Sequence, residues 1–301
     1  MGDIKLFRLA QAGWSQLEGK SAVIEKTLQT LMEEHLDAFL GVRLLRTEYP
    51  TGKKHAGRID TLGIDENNSP VIIEYKRSLN ENVINQGLFY LDWLLDHRAE
   101  FVMLAMEKVG PEVKDKIDWA GTRLVCIAAD FTKYDEYAVA QINRNIELLR
   151  YRHFGQDLLL LELVNAATGS AETGEPGSVK SASSYKTVAQ YLEEAPPEVL
   201  DLYHGLDAFL TALGDVQVNV TQAYVAYRRI KNFACVELYA KLKKLNVYLK
   251  IDPTKVPLEP GFTKDMRGIG HFGTGDLQVT IDSFASLEKA KPLLVQSYEL
   301  S

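Results

Sequence analysis

The sequence has little cysteine, and its histidines are scattered. Only two cysteines occur in 301 residues, and both, Cys126 and Cys235, lie in apolar stretches. This excludes a disulfide framework and a cysteine-rich zinc module. Both thiols are expected to be reduced and buried, as is usual in a cytosolic protein. The six histidines show no metal-ligand spacing, which argues against a histidine-based metal site.

Long apolar runs are also absent. No run approaches the ~18–20 residues that a membrane helix needs, and residues 1–14 lack the charged-then-apolar layout of a signal peptide. We therefore expect a cytoplasmic protein with no membrane partner. Apolar residues make up 46% of the chain and charged residues 25%, which is enough to bury the cores of two globular domains.

The net charge of −7 by itself opposes binding to nucleic acid. The charge is unevenly distributed, however, because residues 228–250 contain seven basic side chains and one acid, Glu237. Such a segment can contact phosphates whatever the net charge of the chain, so net charge does not exclude a nucleic-acid partner.

The clearest division in the chain is a segment of small and polar residues that begins with NAATGSAETGEPGSV. Such a composition cannot bury enough surface to offset its ordering entropy, and it predicts a flexible linker over residues 165–185. We therefore expect an N-terminal domain over residues 1–164 and a separate C-terminal domain over residues 186–301.

The pattern before the linker predicts an α/β domain with a mixed central sheet. Gly41 is expected to end the first helix, and the cluster Glu66–Ser69 is expected to form a turn between two strands. Helices are predicted over 21–40, 80–97 and 137–151, and strands over 42–50, 57–65, 70–77, 101–106, 122–129 and 158–164. After the linker, two helices broken at Pro196-Pro197, several strands and a closing helix predict an α+β domain.

The stretches Arg58–Asp65 and Val71–Lys76 carry the candidate chemistry. Side chains alternate along a strand, so Glu74 and Lys76 point the same way. A hairpin turn centred near residue 67 places Asp60 directly across from Glu74, roughly 5 Å away at Cβ. Two carboxylates and an ammonium group are thus expected on one patch of the sheet.

This triplet suits metal-dependent hydrolysis of a phosphodiester. Two close carboxylates repel unless a cation lies between them. Mg²⁺ is held by one or two carboxylates and takes its other ligands from water and phosphate oxygens. Asp60 and Glu74 are therefore the predicted ligands of Mg²⁺ or Mn²⁺, and Lys76 is the predicted catalytic ammonium group. Taken alone, so short a pattern also fits a surface ion pair.

The segments RIDTLGID, VIIEYKR and INQGLFYLDWL resemble the PD-(D/E)XK nuclease superfamily, specifically its RecB-like and archaeal-type endonuclease relatives. The resemblance covers about residues 21–165, and it implies an αβββαβ restriction-endonuclease-like core. It also implies a helix after the catalytic strand that carries Gln-x-x-x-Tyr, matched by Gln86 and Tyr90. Ile59 replaces the usual proline before Asp60, and Arg58 completes the RID motif as a supporting residue.

The same resemblance implies an acid on the helix before the first strand. Glu25 is the best match, with Glu33 and Glu34 as alternatives. The implied activity is a Mg²⁺-dependent DNA endo- or exonuclease that acts in DNA repair or in defence against foreign DNA.

The C-terminal domain resembles a family recorded only as of unknown function, and the matching text includes YVAYRRIKNFACVEL and GIGHFGTGDLQVTI. Basic and aromatic residues interleave over residues 224–250, with Tyr224, Tyr227 and Phe233 among the aromatics. This predicts DNA contacts through phosphates and exposed bases, and an amphipathic element with a solvated basic face is the alternative. The predicted DNA-binding residues are Arg228, Arg229, Lys231, Lys243 and Lys244.

Two other functions stay open from the sequence. One is a catalytically silent nuclease-like module that binds nucleic acid, and the other is a protein-interaction scaffold. The intact set of Asp60, Glu74 and Lys76 favours the enzyme, because a binding module does not need carboxylates facing a polyanion. A homodimer is also compatible with the sequence, as are RNA and several DNA forms as substrate.

Overall fold

The computed structural model of the chain describes residues 4–10, 13–21, 25–52, 57–76, 83–155, 157–169 and 187–301. The chain divides into two units. The first comprises Met1–Ile64 and Ser69–Ala171, and the second comprises Asp65–Asn68 and Glu172–Ser301. None of the helices in the described ranges combines the length and the apolar character that crossing a bilayer requires.

The first unit is built on a mixed sheet. Its strands are β1 (Leu6–Ala10), β2 (Gly13–Leu17), β3 (Gly19–Lys20), β4 (Val42–Pro50), β5 (Arg58–Asp65), β6 (Pro70–Lys76), β7 (Arg123–Ala128), β8 (Asn145–Phe154) and β9 (Leu158–Ala167). The main sheet has the order β3-β8-β7-β6-β5-β4, with β9 also paired to β8, and β1 and β2 form a separate pair. Because β6, β7 and β8 are parallel while β5 and β9 are antiparallel to their neighbours, the predicted mixed α/β sheet is confirmed.

Helices complete the first unit and bury the sheet. They are α1 (Glu25–Glu34), α2 (Leu36–Leu40), α3 (Val83–Asp96), α4 (Arg98–Lys108) and α5 (Lys133–Ala140), with a 3₁₀ helix at Pro111–Lys116. Ile72 of β6 and Leu124 of β7 pack in one apolar core with Leu91 and Leu94 of α3. The succession α1–β4–β5–β6–α3–β7 follows the predicted αβββαβ order.

The first predicted helix is two helices. The chain turns at His35 between α1 and α2, whereas the sequence pattern predicted one helix over residues 21–40. Gly41 does end α2: it adopts φ 63° and its N–H donates to the Asp37 carbonyl oxygen. This is the left-handed C-terminal cap that glycine favours. The predicted start of the first helix at residues 22–24, and that of α3 at residues 80–82, lie outside the described residues.

Residues 101–106 form part of α4, so the strand predicted there is wrong. Phe101, Leu104 and Ala105 are buried, whereas Met103 is 72% exposed. Burial at intervals of three to four residues is the pattern of a helix with one face on the core. A run of six apolar residues cannot distinguish this arrangement from a buried strand.

The helix predicted over residues 137–151 is also wrong after Ala140. The helix α5 starts at a capping box formed by Thr132 and Asp135, and the chain enters β8 at Asn145. Strand β8 lies between β7 and β9 in the sheet, and its residues 146–151 are buried, including the charged Glu147 and Arg150. Their ion-pair partners, Arg123, Asp130 and Glu162, are distant in the sequence, so local periodicity gives no sign of the strand.

The first residues of the predicted linker belong to β9. Asn165, Ala166 and Ala167 are the last residues of β9 and pair with Leu148, Glu147 and Ile146 of β8. This segment of mostly small residues therefore continues the strand. Residues 170–185 of the predicted linker lie outside the described residues.

The second unit is an antiparallel sheet covered by helices on one face. Its strands are β10 (Gln217–Val220), β11 (Val225–Arg228), β12 (Asn232–Tyr239), β13 (Lys244–Leu249), β14 (Thr263–Asp265) and β15 (Leu277–Ile281), in the order β10-β11-β12-β13-β15-β14. Its helices are α6 (Val188–Glu194), α7 (Pro197–Thr211) and α8 (Phe284–Glu299), with 3₁₀ turns at Ala240–Leu242 and Pro253–Lys255. The break between α6 and α7 falls at Pro196-Pro197 as predicted, because proline is favoured at the first helical position.

Candidate functional site

The hairpin β5–β6 brings Asp60 and Glu74 together. Thr61 pairs with Ile73 and Leu62 with Ile72, so continuing the ladder by one residue places Asp60 opposite Glu74, as predicted. At this pair, backbone N–H groups donate to side-chain carboxylates of the opposite strand. The Asp60 N–H donates to Oε1 of Glu74 at 3.1 Å, and the Tyr75 N–H donates to Oδ2 of Asp60 at 3.1 Å. The backbone of each strand therefore holds the carboxylate of the other.

Burial of these carboxylates makes their ionisation costly. Glu74 is fully buried, and this burial, reinforced by the charge of Asp60, raises the pKa of Glu74 to about 9. Burial also raises the pKa of Asp60, although the Tyr75 N–H and the charge of Lys76 oppose this rise. Without a cation the pair therefore retains a proton at neutral pH. A bound divalent cation would allow both groups to ionise.

Lys76 and Glu25 stand beside the carboxylates. The Lys76 Nζ atom lies 3.6 Å from Oε1 of Glu25, the first residue of α1, and the Lys76 side chain is only 15% exposed. The Lys76 charge favours the ionised forms of both Asp60 and Glu74. The chain thus places an ammonium group next to both carboxylates.

Of the acids proposed on the first helix, Glu25 is the one that reaches the site. Glu33 instead accepts hydrogen bonds from Thr61 and Thr47, and Glu34 is exposed. Because positions 25 and 33 are about two helical turns apart, only packing of the helix on the sheet could select between them.

Gln86 and Tyr90 lie one helical turn apart on α3, and Gln86 contacts both Glu74 and Tyr90. The Gln86 Nε2 atom donates to Oε2 of Glu74 at 3.0 Å and lies 3.4 Å from the Tyr90 hydroxyl oxygen. Tyr90 is buried against Gly57, where a Cβ atom would lie 2.6 Å from that hydroxyl oxygen. Gly57 therefore allows the backbone to approach Tyr90, and the sequence analysis did not single it out.

Two further residues escaped the sequence analysis. The buried Gln29 on α1 donates from Nε2 to the Asp60 carbonyl oxygen at 2.8 Å, which ties the helix to β5. Glu48 on β4 adds a negative charge that raises the pKa of Asp60. The one sign of Glu48 in the sequence was an acidic residue within a predicted strand.

The supporting residue Arg58 forms an ion pair with Glu48 at 3.6 Å. The Arg58 side chain is 68% exposed, and the contact that the structure shows for it is this ion pair.

The donor set suits a hard cation with few protein ligands. Among the described residues, no group of three or more His, Cys, Asp or Glu side chains is arranged to hold a metal ion. Mg²⁺ needs only one or two carboxylates, because it keeps several waters and binds phosphate oxygens. Oδ1 of Asp60 accepts no hydrogen bond from an N–H group in the part of the chain that the structure describes. Asp60 and Glu74 therefore fit Mg²⁺ or Mn²⁺ better than a structural zinc ion.

The basic and aromatic segment of the second unit is not a continuous exposed surface, which corrects the sequence prediction. Arg228 is 6% exposed and donates from Nη2 to the Ile230 carbonyl oxygen at 2.8 Å. Arg229 lies over the ring of Tyr298, 4.7 Å from its centroid. The aromatics proposed to stack on bases are buried, namely Tyr224, Tyr227 and Phe233.

The remaining basic residues fall into two groups at opposite ends of β12. Lys231 precedes the strand, whereas Lys243 and Lys244 follow it. Eight residues of extended chain separate the groups by about 25 Å. Lys243 is exposed and forms an ion pair with Glu198 at 3.6 Å. The predicted DNA-binding set is thus not one patch.

Comparisons with known proteins add family information for the second unit. Residues 188–301 match a family described as a domain of unknown function (DUF5655), which confirms the resemblance predicted for the C-terminal domain. An uncharacterized protein of Haemophilus influenzae is 27% identical over 304 residues, which cover 98% of this chain and 99% of that protein. A crystal structure of a repair endonuclease from Pyrococcus abyssi is 18% identical, with a TM-score of 0.29. That match covers 44% of this chain and 48% of the endonuclease chain, and at this TM-score it does not establish a shared fold.

Proposed function

We propose that the first unit is a Mg²⁺- or Mn²⁺-dependent nuclease that hydrolyses phosphodiester bonds of DNA. The main observation behind this proposal is that Asp60, Glu74 and Lys76 lie together at the open end of the β5–β6 hairpin, away from its turn. A backbone N–H of the sheet donates to each carboxylate, so the geometry of the pair is built into the sheet. The similarity of this hairpin and of Gln86 and Tyr90 to the PD-(D/E)XK pattern supports the same chemistry.

Each residue has a role in the proposed reaction. Asp60 and Glu74 hold the metal, which supplies an acidified water and charge neutralisation at the scissile phosphate when it is bound. Lys76 orients the attacking water and stabilises the negative charge of the pentavalent transition state. Glu25 holds the ammonium group of Lys76 in place through its ion pair. Gln86 orients the Glu74 carboxylate through its hydrogen bond.

The second candidate is a module that binds nucleic acid without cutting it. It also uses Lys76, but it gives no role to the buried Glu74 and the half-buried Asp60, whose negative charge would repel the phosphate backbone. A protein-interaction scaffold is the third candidate. It does not explain why Glu74 is buried as an acid beside Asp60, since burying such a pair without a cation lowers stability.

The decisive experiment is cleavage of supercoiled plasmid, linear single strands, branched DNA and RNA by the full chain, with Mg²⁺, Mn²⁺ or EDTA. We expect metal-dependent cleavage that Asp60→Asn and Glu74→Gln abolish. Asp92→Asn is the matched control, because this exposed acid lies on α3, the same helix that carries Gln86 and Tyr90. Cleavage by both carboxylate variants at the wild-type rate would contradict the site assignment. If no substrate is cut, a gel shift in EDTA separates the binding module from the scaffold.

A further inference from the structure

The sheet of the second unit has one face that the helices leave open. Leu245 and Val247 of β13 and Val279 of β15 pack in one apolar core with residues of α6, α7 and α8. Strand residues alternate between faces, so Asn246 and Thr280, which pair across β13 and β15, point away from the helices. On this face the side chains at the start of β13 and those of β15 and β14 are polar, whereas Tyr248, further along β13, packs in a small buried cluster with Cys235 and Met266.

This polar part of the open face contains a pocket of about 400 Å³. Lys244 stands at the start of β13, and Lys264 is the central residue of β14. The lining residues are Lys244, Asn246, Gly261, Phe262, Thr263, Lys264, Gln278 and Thr280. The lining therefore carries two positive charges and no acid.

Hydrogen bonds order the polar floor of the pocket. Gln278 donates from Nε2 to Oγ1 of Thr280 at 3.1 Å, and Thr280 Oγ1 donates to Oδ1 of Asn246 at 3.4 Å. Asn246 is itself buried. An amide row of this kind holds its shape without a ligand, so little ordering is needed on binding.

The acids around the pocket are already satisfied by other groups. Glu237 pairs with Asn246 across β12 and β13, but its Oε2 atom accepts the hydroxyls of Tyr239 and Tyr248, at 2.6 and 3.0 Å. Its Oε1 atom accepts the Phe272 N–H. On β14, Asp265 accepts two side-chain hydrogen bonds from Nε of Arg267 and one from Nη2.

Neither pocket lysine is neutralised. Within the described residues, Lys244 and Lys264 form no ion pair with a carboxylate, and the Lys244 Nζ atom lies 5.8 Å from the ring centroid of Tyr239. Two ammonium groups over a floor of amides and hydroxyls can satisfy an anion with several oxygens.

We propose that this pocket binds a phosphate group, presented either by a free nucleotide or by a strand of nucleic acid. Phosphate fits better than carboxylate, because its additional oxygens can reach both lysines and the amide row together. The volume exceeds that of one phosphate, so the rest of a nucleotide has room beside it. The site belongs to the second unit and does not depend on the proposed nuclease activity of the first.

The test measures binding by the full chain in EDTA, which prevents any metal-dependent cleavage of the probe. The probes are inorganic phosphate, thymidine monophosphate and a 3′-labelled single-stranded 12-mer, each at several salt concentrations. Lys244→Gln and Lys264→Gln are made singly and together. Lys241→Gln is the matched control, because this exposed lysine lies three residues from Lys244 and does not line the pocket.

We expect each lysine change to weaken 12-mer binding by about tenfold. The dependence of log K on log[salt] should become shallower by about 0.7 for each lysine that no longer neutralises a phosphate. Binding of thymidine monophosphate as well as the 12-mer would identify a nucleotide site, whereas 12-mer binding alone would identify a strand-binding site. In either case the side-chain amide signals of Asn246 and Gln278 should shift in NMR spectra of the wild-type chain on addition of the bound probe.

Wild-type affinity of the double variant for every probe would overturn the proposal, as would an absence of binding by the wild-type chain. Equal weakening by Lys241→Gln would show that general charge, rather than the pocket, attracts the probe. Thermal melting of each variant confirms that it is folded. If a variant fails to fold, the wild-type NMR experiment is the test: shifts of the Asn246 and Gln278 side-chain amides support the pocket, and unchanged signals contradict it.

Discussion

Replacing Glu74 by glutamine should stabilise the metal-free protein at neutral and basic pH. The ordinary pKa of a glutamate is 4.5, and in the folded chain the pKa of Glu74 rises to about 9 because the group is buried beside Asp60. Below pH 4.5 the group is protonated in both the folded and unfolded states, so it contributes nothing. Between pH 4.5 and 9 the folded state keeps a proton that the unfolded state has released. Stability therefore falls as pH rises through this window.

The magnitude follows from the span of this window. Stability falls by about 1.4 kcal/mol for each pH unit, so burial of Glu74 costs about 3 kcal/mol at pH 7. Glutamine has nearly the same shape and no charge. Its oxygen can accept the Asp60 N–H, while its NH₂ group can donate to Gln86 once the Gln86 amide turns over. The variant should therefore keep the hydrogen bonds and lose the pH dependence.

The assay is denaturant unfolding in EDTA from pH 5 to pH 8.5, followed by tryptophan fluorescence. The three tryptophans are Trp14, Trp93 and Trp119, all in the first unit, so the signal reports on the unit that contains Glu74. We expect Glu74→Gln to gain about 3 kcal/mol over wild type at pH 7 and less than about 1 kcal/mol at pH 5. Mg²⁺ should stabilise the wild type more than the variant.

The exposed acid Asp92 provides the control for this experiment. Asp92→Asn removes one negative charge from the same region without removing a buried acid, so its stability should follow the wild-type pH profile. The reasoning would be refuted if Glu74→Gln were less stable than wild type at pH 8, or if its stability fell with pH as steeply as that of the wild type.

Four further changes test other parts of the structure. Lys76→Ala should abolish cleavage but retain Mn²⁺ binding in calorimetry, because the ammonium group is not a ligand, and loss of Mn²⁺ binding would argue against this role. Gln86→Ala should lower the cleavage rate by about 10- to 100-fold with little change in melting temperature, and an unchanged rate would make the residue purely structural. Gly57→Ala should lower the melting temperature, because the new Cβ would lie 2.6 Å from the Tyr90 hydroxyl oxygen. Gly52→Ala is the comparison: a Cβ there would have no atom within 4 Å, but the backbone has φ 76°, so this change tests backbone strain without a clash. Arg123→Met should destabilise the first unit by about 3–5 kcal/mol in denaturant unfolding, because it removes the ion pair that Arg123 forms with the buried Glu147 at 3.3 Å. A loss below about 1 kcal/mol would show that this ion pair is not needed for stability.

Short-range features of the sequence were enough to predict the centre of the candidate site. The turn at Glu66–Ser69 and the alternation of β5 and β6 determine the register that places Asp60 opposite Glu74. The four-residue spacing of Gln86 and Tyr90 likewise determines that both project from one side of α3. These relations depend on strand and helix periodicity alone, so they need no knowledge of what packs against the elements.

Long-range packing decided the rest. Whether Glu25 or Glu33 reaches Lys76 depends on how α1 lies against the sheet, and the exposure of Arg228 depends on the strands around it. The pKa of Glu74 is raised because the surrounding core removes water from it, and no local pattern records that loss. The strand β8 illustrates the same limit, since Arg150 is buried there only because Asp130 and Glu162 lie within 3.0 Å. Burial is a property of contacts between distant segments, and for that reason the charges and elements that depend on it become visible only in the tertiary structure.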